Sequence, residues 1–538
     1  MPEGEYTVKV KLSSNSGETI IDYDDWFEKK IFDWMKNPRG VGETVPPLYS
    51  PLAVKDNEVS LWGRKYRFGK EGLPESVVSQ NKELLSGRGL IEAEIEGKPA
   101  DIKIETPMAF TSAKPAVVKG KSVLSAGNLK MELNLTMEYD GFMLFQMTYS
   151  PVKDKVKINH LRLKLPLQAK YAKFYSAAGD TQGTTVLGNV LPDKQGKVFD
   201  SLNNTHSVCC SPSFATLFWV GDYETCFCYA SDNDKGWLIR DDAPAVEAYR
   251  EGDNLVLWLN LVDKEWELTG SRTLEFAFQA GPLKALPEGW RGVQYSGNPD
   301  DAPMTILLGS GGTNVLKGGA QIMHPGLTAK DRQKSHDMIE RTLSGGKKAV
   351  FGYHYWGFVN KGVPETRVFR GEWGIDKETW DSSTSPATKY YWDQRVWGEN
   401  KDMYVVLEVK PVPSYVDFIT YAYDETLKAT AMSGFYDDTG YPKEVYDEEL
   451  GLGFIREDGK QIASSGLWVY RERWKRAAYV NYLNNRPNYL NDSQHVNAHF
   501  MPAYGFIGIW APCEFDYHFP FPGGTMEKYV ALNPARQF

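Results

Sequence analysis

Between residues 85 and 280 apolar and polar positions alternate in short runs. Met131, Leu133, Leu135, Met137 and Tyr139 take every second position, which puts them on one face of a strand. Asp140-Gly141 separates this run from the run 142–149, so the pair predicts a hairpin with a two-residue turn. Val156 and Ile158 alternate, Asn159-His160 slips the phase, and Leu161, Leu163 and Leu165 resume it. A slip of one residue predicts a β-bulge. The runs 245–250 and 255–261, either side of Glu251-Gly252-Asp253-Asn254, predict a second hairpin. Many short strands with few helical stretches predict a large β-sandwich module over residues 1–287. Its last strand, 274–280, runs into Gly281-Pro282, and with Pro287 this stretch reads as a linker.

Beyond the linker the period changes. Short apolar runs at 304–308, 349–353, 403–409 and 431–436 alternate with helical spacing at 327–343 and 414–428. Ser465 is placed to cap a further helix through Leu467, Arg471, Trp474, Ala478 and Tyr482. On that helix Arg471, Arg473, Lys475 and Arg476 read as a solvated face. Runs at 489–492 and 506–510 complete about six strands. Strands alternating with helices at this scale predict a (β/α)8-type barrel over residues 288–538. The expected fold class is thus a multidomain β plus α/β protein, its barrel incomplete at the C-terminus. Gly309-Ser-Gly-Gly312 lacks the spacing and the Lys-Ser/Thr pair of a phosphate loop and reads as a tight barrel loop.

Composition narrows the function. The chain has 538 residues, 42% of them hydrophobic and 13% aromatic, with 16 Trp and 30 Tyr. Such aromatic content suits sugar-binding clefts and β-rich cores alike. A net charge of −9 argues against nucleic acid, because no basic field displaces phosphate counterions. No apolar run is long enough for a membrane helix. The start, Met1-Pro-Glu-Gly-Glu, has no signal-peptide pattern. Cys209, Cys210, Cys226, Cys228 and Cys513 form no disulfide framework or zinc knuckle and read as buried free thiols. No metal and no cofactor is implied, and His495 and His499 sit on too short a helical stretch for a metal pair.

If each run is a barrel strand, the residues after the runs share one rim. His354, Tyr355 and Trp356 follow one run, Lys410 and Tyr415 another, and Asp437 and Asp438 follow Gly434-Phe-Tyr436. Asp492, His495 and His499 follow a later run, and Trp510, Glu514 and Asp516 the last. Neighbouring carboxyl groups push their pKa values apart, which suits an acid and a base. Glycosidic bond cleavage needs one carboxyl to protonate the leaving oxygen and a second to attack, activate water or stabilise the anomeric carbon. The expected catalytic set is Asp437, Asp438 and Glu514. His354, Trp356, Trp373, Tyr415, Tyr436, His495 and Trp510 are the expected substrate-binding set.

Several segments carry a family resemblance. They are Val45-Pro-Pro-Leu-Tyr-Ser-Pro51, Leu61-Trp-Gly-Arg-Lys-Tyr-Arg-Phe68, Leu217-Phe-Trp-Val-Gly-Asp222, Gly236-Trp237 and Phe278-Gln-Ala-Gly-Pro282. Later come Ser414-Tyr-Val-Asp-Phe418, Gly434-Phe-Tyr-Asp-Asp438, Gly451-Leu-Gly-Phe-Ile-Arg-Glu-Asp-Gly-Lys460 and Tyr470-Arg-Glu-Arg-Trp-Lys-Arg476. In order and spacing they resemble the large bacterial glycoside-hydrolase-like proteins related to the N-acetyl-β-galactosaminidase family with neighbouring-group catalysis. That resemblance implies a β-sandwich followed by a (β/α) barrel, a polysaccharide-degrading hydrolase, and a periplasmic or secreted location. In those galactosaminidases an Asp orients the substrate's 2-acetamido group and the following Glu is the acid. Here the pair is Asp437-Asp438, so the first position matches and the second is one methylene shorter. The difference favours a two-carboxylate mechanism with Glu514 as acid. Family barrels continue past the segment resembling Cys513-Glu-Phe-Asp516, which is the basis for expecting an incomplete barrel. The alternative functions are a non-catalytic carbohydrate-binding or scaffold protein and a polysaccharide lyase using Tyr436 or His354 as base.

Overall fold

The computed structural model describes residues 1–47, 49–178, 186–204, 209–222, 224–283, 304–307, 329–347, 349–355, 357–383, 406–410, 412–438 and 443–486. It is mostly β-structure in several sheets, with few helices. Contact density groups the chain into two compact units that interleave in sequence. One holds the described residues of Gly42–Trp290 and Tyr441–Trp468. The other holds those of Met1–Val41, Arg291–Gly440 and Val469–Ser493.

The first unit is built from antiparallel sheets. Its nine-stranded sheet contains the hairpin Leu129–Glu138 and Met143–Pro151, which pairs onward with Arg272–Gly281. The turn at Asp140-Gly141 needs its glycine twice over. Gly141 has φ 82°, and a Cβ there would meet Arg64 Nη1 at 2.6 Å. Arg64 is buried and donates to the carbonyl oxygens of Asp140 (2.7 Å) and Ala280 (2.8 Å), so its charge is spent on backbone acceptors. The second sheet centres on Val156–Gln168, flanked by Leu90–Ile95 and Asn254–Val262. The predicted phase slip is present, with the register shifting between Ile158 and His160. The predicted second hairpin is Val246–Glu251 with Asn254–Val262. Alternate residues from both sheets, among them Met131, Leu133, Leu135, Leu161, Leu163 and Leu165, fill one core cluster. Each such side chain contributes about 1.5–3 kcal/mol when fully buried. A five-stranded antiparallel sheet, from Ala53–Lys55 to Lys82–Glu83, belongs to the same unit.

The second unit mixes strands and helices. Met304–Leu307, Ala349–Tyr355 and Gly434–Asp438 form a parallel sheet in that order. The helix Ala329–Ser344 connects the first two, and the helix Pro413–Ala429 precedes the third. This is the β/α pattern expected from the sequence, but among the described residues it stops at three parallel strands and closes no barrel. The run expected as a further barrel strand, at Val406–Glu408, pairs antiparallel with Phe358–Asn360 instead. A short apolar run specifies burial but not its partner. The runs at 489–492 and 506–510 and the loop at Gly309–Gly312 lie outside the described residues.

Aromatic and cationic side chains tie this unit together. The N-terminal hairpin Gly4–Ser13 and Thr19–Lys29 presents Trp26 to Trp380, edge on, with ring centroids 5.6 Å apart. The guanidinium groups of Arg367 and Arg370 lie 4.3 and 4.6 Å from the Trp26 ring. Arg367 also pairs with Glu28 (2.8 Å) and Arg370 with Asp25 (2.5 Å). No helix among the described residues is long and apolar enough to cross a membrane.

Candidate active site

Three parallel strands end on one edge of their sheet, and the register decides which residues meet there. His354 is the Cα partner of Asp437, and Tyr355 is the partner of Asp438. Tyr353 is likewise level with Tyr436. Two strands about 80 residues apart in sequence thus bring His354, Tyr355, Asp437 and Asp438 level with one another at one sheet edge. In parallel α/β sheets the C-terminal strand ends are where ligands and catalytic groups collect. Of the ten residues expected to catalyse or bind substrate, His354, Tyr436, Asp437 and Asp438 are gathered at this edge by the backbone. Trp356, His495, Trp510 and Glu514 lie outside the described residues.

Trp373 and Tyr415, both expected to bind substrate, are placed differently. Both are fully buried. Trp373 stacks on Phe369 at 5.3 Å and meets Tyr415 edge on at 5.2 Å, and its indole N–H donates to Ser414 Oγ at 3.0 Å. Phe418 and Trp34 complete the cluster. Neither ring offers a face to a ligand in this arrangement. The expectation failed because it placed Tyr415 after a strand of the parallel sheet, and that run pairs elsewhere. Of the aromatic residues read as suited to sugar clefts or cores, these two belong to a core.

The expected solvated face of the helix Leu467–Leu483 is also corrected. Arg471, Arg473 and Arg476 are 6%, 0% and 5% exposed. The Arg473 guanidinium lies 4.2 Å from the Trp474 ring, and its Nη2 donates to Tyr423 Oη at 2.8 Å. Arg476 pairs with Asp417 at 2.5 Å and donates to the carbonyl oxygen of Arg39 at 2.8 Å. No local signal marked this: Trp468, Tyr470, Trp474, Tyr479 and Tyr482 all fall on one half of the helix, and Arg473 and Arg476 fall on the other.

The start of that helix is capped from far away in sequence. Ser465 was expected to cap it. Instead Asp232 Oδ1 accepts from Leu467 N (2.6 Å) and Trp468 N (3.3 Å), while Ser465 Oγ donates to the same oxygen at 3.0 Å. Burial raises the Asp232 carboxyl above its ordinary value, and these hydrogen bonds pull it back down.

Cysteine chemistry is weak here. The Cys209–Cys210 hydrogen bond and burial push Cys210 up, burial pushes Cys226 up to about 11, and burial raises Cys228. None of these three supplies a thiolate near neutrality. None of the four described cysteines is in a disulfide. Among the described residues no group of three or more His, Cys, Asp or Glu could hold a metal ion.

Residues 52–227 match the family model of glycoside hydrolase 123, third domain, and this stretch lies within the antiparallel unit. No curated protein matches the chain. Among solved structures, the α-galactosidase from Lactobacillus brevis is 8% identical, covering 82% of this chain and 69% of its own, with a TM-score of 0.30. A GH36 α-galactosidase from Geobacillus stearothermophilus in complex with stachyose is 9% identical over 74% of this chain and 61% of its own, with a TM-score of 0.27. A copper-containing benzylamine oxidase from Hansenula polymorpha is 9% identical over 52% of this chain and 78% of its own, with a TM-score of 0.28. The galactosidases and the oxidase stand at one level of likeness, so these structural similarities decide neither fold nor function.

Proposed function

We propose that the chain is a glycoside hydrolase acting on a poly- or oligosaccharide, with its chemistry at the C-terminal edge of the parallel strands. The observation that carries this reading is the register that sets Asp437 level with His354 and Asp438 level with Tyr355. The match of residues 52–227 to a glycoside hydrolase 123 domain supports the same class. The parallel strands belong, in this reading, to a (β/α)-type barrel. Asp437 orients the substrate, Asp438 acts as nucleophile or base, and Glu514 is the general acid. The hydrolase needs one carboxyl to hold a proton while another is ionised, and adjacent carboxyls separate their pKa values in that sense. His354 and Tyr436 bind hydroxyls at the same edge. The departure from an Asp-Glu pair favours the two carboxylates over participation by the substrate's own acetamido group.

The test is a screen of neutral, acidic and amino-sugar polysaccharides with product analysis. Release of saturated reducing sugar by the wild type, lost in Asp438→Asn, is the expected result. Unsaturated, ultraviolet-absorbing products would make the protein a lyase. Saccharide binding without turnover across the panel would make it a carbohydrate-binding protein.

A further inference from the structure

A cleft of about 290 Å³ opens within the antiparallel unit and shares no residue with the Asp437–Asp438 edge. It is lined by Ser231, Asp232, Asn233 and Lys235 from one loop, by Thr273 and Glu275 from the strand Arg272–Gly281, and by Gly451, Leu452 and Trp468. Its walls are held by specific bonds. Asp232, 5% exposed, binds the backbone N–H of Trp468 at 3.3 Å and so joins the loop to the indole across from it. Ser231 Oγ lies 3.0 Å from the Asn233 carbonyl oxygen and 2.9 Å from that of Glu275. Asn233 Nδ2 donates to Ser464 Oγ at 2.8 Å.

Trp468 is half-buried and cannot swing freely. Its Nε1 donates to Glu275 Oε2 at 3.1 Å, and Phe142 meets its ring edge on at 5.4 Å. Glu275 is in turn fixed through Oε1, which accepts from Gln146 Nε2 at 2.7 Å. A clamped indole costs little further entropy when a ligand lies on it. Around it stand a carboxylate, an amide, a hydroxyl and the exposed ammonium of Lys235. This set matches a pyranose, whose C–H face packs on an aromatic ring while its hydroxyls bond to charged and amide groups. It does not match a phosphate, since Asp232 and Glu275 set two acidic side chains against the single ammonium of Lys235. The volume is at the small end of ligand sites, roughly 300–1,000 Å³, which suits one sugar ring and not a long segment.

We infer that this cleft is a saccharide-binding site holding one pyranose unit on Trp468, with Glu275, Asn233 and Lys235 as hydroxyl partners. That the pyranose belongs to the hydrolase's own substrate rests on the function proposed above; the site itself does not. The test uses the full chain carrying Asp438→Asn, so that no bound glycan is consumed, applied to a printed glycan array and then by calorimetry to the best array glycan. Trp468→Leu should weaken binding by about 10-fold or more, and Trp468→Phe, which keeps an aromatic face, should recover most of it. Both variants are compared at equal folded fraction by thermal melting. In the otherwise wild-type enzyme, Trp468→Leu should leave kcat on a small aryl glycoside unchanged and raise KM on the polymer. Equal affinity of Trp468→Leu and its parent, or an array that binds nothing, overturns the inference even if the wild type hydrolyses sugar. Trp468-dependent binding with no hydrolysis overturns the proposed enzyme and leaves this site standing.

Discussion

In the antiparallel unit some buried side chains meet partners across a single turn. Met131 faces Tyr149, Leu133 faces Met147 and Leu135 faces Phe145 across a single hairpin. In the other unit the buried side chains come from distant parts of the chain, with Trp34, Trp373, Tyr415 and Phe418 in one cluster and Arg473 among Tyr423, Tyr470 and Trp474. The first unit builds its core from strand alternation that mixes aliphatic residues with rings such as Phe145, Phe276 and Phe278, and gives its buried Arg64 backbone acceptors. The second builds from aromatic rings and buried guanidinium groups. Burying a cation is costly unless it is paired or lies on a ring face. The second unit therefore depends on ring contacts and paired cations where the first depends on the alternation of its paired strands.

The sharpest way to break this comparison is at the proposed chemistry. Asp438→Asn should lower kcat by about 10²–10⁴-fold with little change in KM, measured by product release. Retained activity would remove Asp438 from the mechanism and leave the parallel strands as structure alone. Next in size is Trp373→Ala, which should cost about 3–5 kcal/mol by denaturant unfolding. Hydrogen exchange should then rise in the helix Pro413–Ala429, which carries Tyr415 and Phe418, and substrate affinity of the remaining folded protein should hold. Lost affinity at unchanged stability would return Trp373 to the binding set.

Smaller effects are expected at the cap. Asp232→Ala should cost about 1–3 kcal/mol because it leaves several buried donors without an acceptor, and Ser465→Ala should cost less, about 0.5–1.5 kcal/mol. Equal losses would restore Ser465 as the cap. The smallest effect is in pH. Asp232 is raised by burial in the folded state, so it binds its proton more tightly there than in the unfolded chain. That contribution is fully present below the unfolded carboxyl value and is lost as pH rises through the folded one. Wild type should thus lose stability relative to Asp232→Asn as pH rises above about 4, where an ordinary Asp ionises. A constant difference between the two proteins would mean that Asp232 titrates as it does unfolded.

What was legible along the chain was periodic and local. The hairpin at Asp140-Gly141, the bulge at Asn159-His160, the strand before Asp437 and the helices near 327–343 and 414–428 follow from alternation, turn residues and helical spacing. These depend on contacts within a few residues, where backbone geometry leaves few choices. The pairing of His354 with Asp437, the antiparallel partner of Val406–Glu408, the burial of Arg473 and the Asp232 cap for Leu467 depended on the tertiary structure. Each joins residues about 50 to 235 positions apart, and no local period records which distant segment will satisfy a strand edge, a cation or a free amide. The residues that could do chemistry were written in the chain, and the company they keep was settled only by the fold.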